Sequence, residues 1–304
     1  MARTKRPLEI AATTTLGTLA AAAGAAATVW SFSPRKDALI ENRWRQICHY
    51  RYAHRGLHDK TQGIPENSIP AFEQARDYGF GAELDVHLTK DGALVVFHDS
   101  DVFRMCGTKG IVEKMEYKEL SKLRLAGTNE RIPLFDEVLQ IFEWDATTPA
   151  ATMPAPIIIE LKTYGSNAFA LTEQAVKALD KRNVRYVIES FDPRVLLWLR
   201  VHRPDIIRGQ LSENFLQDDT TEDQSLFLRW SASALLGNPI GRPDFVSYRF
   251  EDRHNAAVQI VCSKLGVRLV TWTIRSKDAM ITSESEGAPV IFEGFVPSPR
   301  SAIL

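Results

Sequence analysis

A short motif near residue 85 contains acidic side chains and a histidine that could act together. Glu83 and Asp85 are separated by one residue in an apolar run, so both carboxylates share one face of a β-strand. Asp91-Gly92 follows, and Asp-Gly between two alternating apolar runs predicts a hairpin. The returning strand brings His98 roughly opposite Asp85. The motif therefore predicts a hairpin that gathers two carboxylates and an imidazole.

Two other apolar stretches end in charged side chains. The first predicted strand ends in His54 and Arg55, and a run of β-branched residues at 156–162 ends in Glu160 and Lys162. The last two residues share one strand face, as the two acids of the hairpin do. In a parallel barrel the carboxyl ends of the strands meet at one mouth, so we expect these side chains to lie close together.

These residue types predict metal-assisted chemistry on a phosphate ester. Carboxylates as close as Glu83, Asp85 and Glu160 are costly without a cation, and hard oxygen ligands favour Ca²⁺ or Mg²⁺. The neighbouring arginine and lysine suit an anionic substrate, phosphate especially. Two histidines suit acid–base catalysis near neutral pH. We therefore predict one divalent cation, Ca²⁺ or Mg²⁺, and cleavage of a phosphodiester.

Alternating strands and helices position these residues. Eight strands are predicted, beginning near residues 51, 82, 157, 186, 207, 245, 268 and 290. Repeated strand–helix units predict a parallel sheet with right-handed crossovers, and eight strands close a (β/α)8, or TIM, barrel. An open doubly wound sheet is the alternative within the α/β class, although no Gly-rich phosphate loop follows the first strand.

The barrel is predicted over residues 38–304, with a β-hairpin and a small insertion after its second strand. Residues 98–147 hold this insertion and a linker rich in Pro, Ala and Thr. The chain has 304 residues, 44% apolar and 25% charged, as expected for a globular protein with a sizeable core. The formal net charge of -1 gives no electrostatic case for a nucleic-acid partner.

The N-terminal segment, residues 1–37, has the pattern of a membrane or export signal. Residues 10–34 are uncharged and rich in alanine, with basic residues on both sides. This length could span a bilayer as a signal-anchor, or the segment could be a cleaved secretory signal. Either interpretation places the barrel outside the cytoplasm, membrane-anchored or secreted. The third interpretation is an Ala-rich leader on a cytoplasmic enzyme.

Several short motifs, taken together, resemble those of the glycerophosphodiester phosphodiesterase family, which has a barrel like that of phosphatidylinositol-specific phospholipase C. The matching motifs are His54-Arg55-Gly56, Pro65-Glu66-Asn67-Ser68, Glu83-Leu84-Asp85, Leu88-Thr89-Lys90-Asp91-Gly92, Phe97-His98-Asp99, Glu160-Leu161-Lys162, Ser190-Phe191 and Thr271-Trp272-Thr273. They extend over about residues 50–295, and their order and spacing carry the resemblance.

The resemblance implies a role for each matched residue. The acid–base pair is His54 and His98. The metal ligands are Glu83, Asp85 and Glu160. The substrate-binding residues are Arg55, Lys162, Glu66, Asn67, Phe191 and Trp272. Among these, Arg55 and Lys162 bind phosphate and Glu66 holds Arg55. Asn67 reaches the metal or caps a helix, and the two aromatic rings line the pocket.

The family reaction converts a glycerophosphodiester and water into sn-glycerol 3-phosphate and an alcohol. One histidine takes a proton from water or from the glycerol 2-hydroxyl, and the other protonates the leaving alkoxide. One departure from the family pattern concerns the last strand, where family members often carry Ile-Thr-Asp. Glu293 stands there in this chain. We therefore expect any role of that aspartate to pass to Glu293 or to be lost.

Two other functions are compatible with the sequence. A lysophospholipase D or sphingomyelinase D-like enzyme would keep the barrel and change the substrate, and a wide apolar groove beside the histidines would favour it. A catalytically inactive barrel would only bind a ligand. The remaining histidines, including His87, are assigned to packing or the surface. Glu189 is assigned to a structural ion pair rather than to the pocket.

Overall fold

Eight parallel strands close into a barrel in the computed structural model, which describes residues 27–149, 153–217, 224–301 and 303. The strands are β1 (Tyr52–Ala53), β2 (Gly81–Leu88), β3 (Leu94–Val96), β4 (Ile157–Leu161), β5 (Tyr186–Ser190), β6 (Arg208–Ser212), β7 (Phe245–Arg249), β8 (Arg268–Ile274) and β9 (Val290–Phe292). β1 pairs with both β2 and β9, which closes the ring, and β3 is the antiparallel hairpin partner of β2. The predicted (β/α)8 barrel is confirmed.

Helices surround the barrel and follow its strands. They are α1 (Ala38–Arg45), α2 (Ile69–Asp77), α3 (Phe103–Cys106), α4 (Tyr117–Leu120), α5 (Phe135–Ile141), α6 (Ala168–Leu179), α7 (Pro193–His202), α8 (Leu226–Ser233), α9 (Asn238–Gly241), α10 (Ala256–Val258, continued as a π-helix over Gln259–Lys264) and α11 (Lys277–Ser285). Short 3-10 turns connect several of them.

The start of α2 shows how local sequence sets an element next to the site. Ser68 caps the helix by accepting a hydrogen bond from the Ala71 amide, and Pro70 lies in the first turn. Gly79 follows its end with a φ of +77°. Asn67 is not the cap and instead has a left-handed φ of +53°, which turns its side chain toward β2. Of the two predicted capping residues, only the serine acts as one.

Alternation along the strands divides the core into two parts. On β4, Ile158 packs inside the barrel with Phe245, while Ile157 and Ile159 face the helices. α1 closes the amino-terminal end of the barrel, where Ile40 joins the interior cluster. On each strand, the next interior side chain toward the carboxyl end, two residues further along, lies at the barrel mouth. Acidic residues on that face therefore point into the mouth.

The insertion has a core of its own. Val102, Val112, Leu120 and Leu125 form a buried cluster with residues of β3. α5 is not part of this cluster, because its buried side chains pack with α2 in the main core. The insertion's own core thus ends before α5, within the 98–147 predicted to hold the insertion and the linker.

The N-terminal prediction falls mainly on residues 1–26, which lie outside the described residues. Among the residues that are described, no helix is long and apolar enough to cross a membrane. Residues 27–32 are helical, and Arg35 forms an ion pair with Asp244 at the foot of the barrel. Asp37 then caps α1. Packing against the barrel therefore begins before the predicted boundary at residue 37, and export or anchoring stays a prediction.

Gly209 provides a test of the interior packing, because a Cβ there would lie 2.1 Å from the Phe245 ring. We expect Gly209→Ala to lower the free energy of unfolding by about 1–3 kcal/mol, as overpacking does. Chemical denaturation of the purified protein measures this. Gly237→Ala is the control, since its Cβ would lie 3.3 Å from Pro193, and we expect a smaller loss. Equal losses in the two variants would contradict the packing argument.

Candidate active site

Three buried carboxylates form a cluster at the barrel mouth. Oxygen atoms of Glu83, Asp85 and Glu160 lie within 4.8 Å of one another. β2 and β4 pair in register with Asp85 opposite Glu160, which brings the two acidic motifs side by side. Burial raises the pKa of Glu83 well above its usual range, and the charges of the neighbouring carboxylates, Glu189 among them, add to this. The cluster therefore carries more negative charge than its surroundings readily hold.

Two cations partly compensate these acids. Lys162 Nζ lies 2.8 Å from Glu160 and 3.2 Å from Asp85, and Arg55 Nε lies 3.6 Å from Asp85. Burial opposes ionisation of Asp85, but the charges of Lys162, His98 and Arg55 outweigh it and hold its pKa well below the usual range. Arg55 has a left-handed φ of +55°, and its backbone amide donates to Glu83. Both cations remain partly exposed to the pocket.

His54 is held by the glutamate that departs from the family pattern. Its Nδ1 donates to Glu293 across 2.6 Å, and Arg275 pairs with the same carboxylate. Burial lowers the pKa of His54 despite this hydrogen bond, which favours the neutral ring. With Nδ1 protonated, Nε2 is left as the acceptor, 3.9 Å from Glu83. Glu293 thus lies where it can hold His54, at the strand end where the family pattern has an aspartate.

His98 is held in the same way from the opposite side. Its Nδ1 donates to the Asp99 carboxylate across 2.6 Å, and Arg104 of α3 pairs with that carboxylate. Arg104 also pairs with Glu66, which in turn holds Arg55 at 2.7 Å. A continuous chain of ion pairs therefore joins His98 to Arg55 through the insertion. No sequence motif pointed to Arg104.

His87, which the sequence analysis assigned to packing or the surface, is buried directly behind His98. Its Nδ1 lies 2.6 Å from Glu113 of the insertion, and its Nε2 lies 3.1 Å from the backbone carbonyl of His98. Both partners are hydrogen-bond acceptors, and together they tie the ring to the insertion and to the His98 segment. His87 therefore supports the segment that carries His98. The place opposite Asp85 in the hairpin, predicted for His98, is taken by Phe97.

A cavity of ≈ 370 Å³ opens above the acids. The predicted residues that line it are His54, Arg55, Glu83, His98, Glu160, Lys162, Phe191 and Trp272. Asp85 lies just below in the acid cluster and accepts a hydrogen bond from Asn67, while Glu66 accepts one from Arg55. The structure thus brings all of the predicted site residues together. Phe191 and Trp272 meet edge to face with ring centroids 6.0 Å apart.

The cavity also has residues that sequence reasoning did not select, namely Glu189, Leu211, Glu213, Thr273, Arg275 and Ile291. Glu189 lines the cavity instead of forming the expected structural ion pair, and its Oε2 is buried without a hydrogen-bond partner among the described residues. Burial, together with the Glu160 charge, raises its pKa to about 8. Glu189 on β5 lies opposite Glu160 on β4. The alternation of strand faces that placed Glu83 and Glu160 in the mouth could therefore have placed Glu189 there as well.

The donor set fits a hard divalent cation. Glu83, Asp85 and Glu160 supply oxygen ligands, the donor type that Ca²⁺ and Mg²⁺ prefer. Asn67 donates its amide N–H to Asp85, and its buried carbonyl oxygen has no partner among the described residues. A cation among these oxygens would satisfy that atom and the excess negative charge. The predicted ligands therefore suit the predicted metal.

Comparison with known sequences is consistent with this chemistry. The sequence model described as "Glycerophosphoryl diester phosphodiesterase family" matches residues 54–292. A glycerophosphodiester phosphodiesterase of Caldanaerobacter subterraneus subsp. tengcongensis is 31% identical over 75% of this chain and 86% of that protein. Glycerophosphodiester phosphodiesterase 1 of Bos taurus is 25% identical over 77% of this chain and 74% of that protein.

Solved structures show the same fold. A glycerophosphodiester phosphodiesterase of Parabacteroides distasonis matches with a TM-score of 0.60 and 22% identity over 80% of this chain and 92% of that one. An Oleispira antarctica phosphodiesterase matches with a TM-score of 0.62 and 19% identity over 87% and 94%. The family match covers most of the barrel and includes the acids, histidines and cations of the mouth. The chain therefore belongs to the glycerophosphoryl diester phosphodiesterase family, whose members are phosphoric diester hydrolases.

Proposed function

We propose that this protein hydrolyses glycerophosphodiesters to sn-glycerol 3-phosphate and an alcohol, with one bound Ca²⁺ or Mg²⁺ and two histidines as acid and base. The observation that carries the proposal is the arrangement of His54 and His98 beside one carboxylate cluster, each with Nδ1 held by its own carboxylate. Family membership supports the substrate class. The Oleispira relative was solved with the product sn-glycerol-3-phosphate.

The cations of the mouth bind the phosphate in this proposal. Lys162 and Arg55 lie on the cavity wall with partly exposed side chains and point their N–H groups at the same space. Glu66 fixes the guanidinium of Arg55, which leaves its remaining N–H groups for phosphate oxygens. A metal ion held by Glu83, Asp85 and Glu160 would supply a positive charge that stabilises the phosphoryl oxygens.

The two histidines move the protons. Each ring keeps its Nδ1 proton on a carboxylate, so each Nε2 is free for the reacting oxygens. One ring starts neutral, and its Nε2 takes the proton from water or from the glycerol 2-hydroxyl; the other starts as the imidazolium, and its Nε2 gives a proton to the leaving alkoxide. Carboxylates at both Nδ1 atoms stabilise the imidazolium that forms on the way. Phe191 and Trp272 line the leaving-group side as apolar walls.

A lipid phosphodiester substrate, as in a lysophospholipase D, is the second candidate. One observation favours it: a second, mainly apolar cavity lined by Phe215, Phe227 and Leu235 shares Phe191 and Leu211 with the catalytic cavity. An acyl chain could lie there while its phosphate reaches the histidines. The assay below separates the two substrates.

The test of the proposal is release of sn-glycerol 3-phosphate from glycerophosphocholine by the purified protein. We expect release with Ca²⁺ or Mg²⁺ and its loss with a chelator, because the buried acids then lack their cation. We expect His98→Ala to lower kcat by at least about 100-fold. Calorimetric titration of the chelated protein with each metal measures binding without turnover. Choline release only from lysophosphatidylcholine would move the enzyme to the lipid candidate.

His202→Ala is the matched control for His98→Ala, since His202 is exposed and its ring contacts only Trp198 among the described residues. We expect its kcat to equal that of the parent protein. A folded, metal-binding protein that cleaves neither substrate would contradict the proposal and leave a barrel that only binds its ligand.

Glu293 is expected to act by orienting His54. Glu293→Gln keeps a hydrogen-bond acceptor but loses the charge that stabilises the imidazolium, so we expect kcat to fall by about 10–1000-fold with KM nearly unchanged. Steady-state kinetics on glycerophosphocholine measure this. The same substitution at Glu286, a carboxylate paired with Arg253, is the control. An unchanged kcat in Glu293→Gln would remove the residue from the mechanism.

His87 is expected to position His98. In His87→Leu the bond to the His98 carbonyl is lost and Glu113 is left buried, so we expect kcat to fall by about tenfold or more. His87→Gln restores one hydrogen-bonding group and should recover part of the loss. Thermal unfolding is measured in parallel. A lower unfolding temperature in His87→Leu with unchanged kcat would reduce His87 to a purely structural residue.

A further inference from the structure

Six large apolar side chains are exposed on one side of the barrel and form what we term the apolar face. They are Leu226, Phe227, Leu228, Trp230, Leu236 and Ile240. Phe227 and Leu226 are the most exposed, at 72% and 71% of their surface. The Phe227 and Trp230 ring centroids lie 6.0 Å apart, and Phe227, Leu228, Leu236 and Ile240 line one cavity. These exposed side chains therefore form one patch. Contiguous exposed apolar area of this kind marks an interaction site.

The apolar face is continuous with the catalytic mouth. Phe227, Leu228, Leu236 and Ile240 line the second cavity, which shares Phe191 and Leu211 with the catalytic cavity. A partner seated on this face would therefore lie directly beside the entrance for substrate. No feature of the proposed hydrolysis of a small soluble diester uses these exposed residues.

The opposite end of the face carries an aromatic ring and excess positive charge. The guanidinium of Arg242, which follows α9, stacks 3.8 Å from the ring of Trp30, and Arg200 donates to the Ile240 carbonyl. Asp244 pairs with Arg35. Its negative charge favours the ionised forms of Arg208 and Arg242, whereas the neighbouring arginines oppose them. Nη1 of the buried Arg208 has no hydrogen-bond partner among the described residues.

We propose that the apolar face rests on a lipid bilayer and holds the catalytic mouth at the membrane surface. Leucine and phenylalanine would enter the acyl boundary, while Trp230 and Trp30 lie at the headgroup level, as amphipathic rings do. The arginines beside Trp30 would meet lipid phosphates. The lipid surface is chosen as the occupant because the arginines at this end complement lipid phosphates in charge, next to side chains that suit the acyl boundary.

One feature of the sequence decides which lipids the test must include. The run 218–223, directly before the face, contains four acidic residues and lies outside the described residues. It would oppose anionic lipids, whereas the arginines at the other end would favour them. Vesicles of phosphatidylcholine alone and of phosphatidylcholine with phosphatidylglycerol are therefore separate arms.

Hydrogen–deuterium exchange of the full chain, with and without each vesicle type, tests the proposal. We expect amide exchange over residues 226–241 to slow at least about threefold on one or both vesicles, because the bilayer covers this face. Exchange over α11, on another side of the barrel, should not change. This readout locates the covered surface even if the N-terminal segment also binds lipid.

Two variants sharpen the result. Leu226→Asp, at a 71% exposed position that lines neither cavity, should abolish the slowing over 226–241, whereas Ile281→Asp, at a 60% exposed position on α11, should retain it. Hydrolysis of soluble glycerophosphocholine should be unchanged in both, which shows that they fold and separates this result from the proposed activity. Vesicle-bound protein without slowing at 226–241 would overturn the proposal. A dimer by light scattering, with amide exchange over 226–241 already slow in the absence of lipid, would also overturn the proposal, because the face would then bind a second copy of the chain.

Discussion

The structure depends on an excess of buried negative charge at one end of the barrel. Glu83, Asp85, Glu160 and Glu189 converge there, and Lys162 and Arg55 compensate them in part. In a region of low dielectric such an arrangement is costly, and burial already raises the pKa of Glu83. A divalent cation would relieve the cost. The excess negative charge therefore suits a divalent metal, and the metal would in turn attract a phosphate.

The histidines are positioned by carboxylates that come from different parts of the chain. Glu293 follows the last strand and holds His54, while Asp99 follows the hairpin and holds His98. Both bonds use Nδ1, so both rings present the same nitrogen to the cavity. With both Nε2 atoms facing one pocket, a neutral ring can take a proton at one oxygen while a protonated ring gives a proton at another.

The insertion is linked to the chemistry through two polar connections. Arg104 joins Asp99 to Glu66. Glu113 contacts His87, and His87 in turn contacts the backbone carbonyl of His98. Arg104 and Glu113 lie on short elements that are held by the insertion's own apolar core. The insertion therefore carries the supports of His98 and, through Glu66, of Arg55.

The sequence alone determined the barrel and the contents of its mouth. Strand periods of two placed Glu83 with Asp85 and Glu160 with Lys162, and eight strand–helix units specified the closure, because these patterns are local. Only the tertiary structure decided the role of Glu189, the partner of His54, and the contacts of Arg104 and His87. Those contacts join residues distant in the chain, and a single sequence carries no signal for which separated charges will meet once the barrel closes.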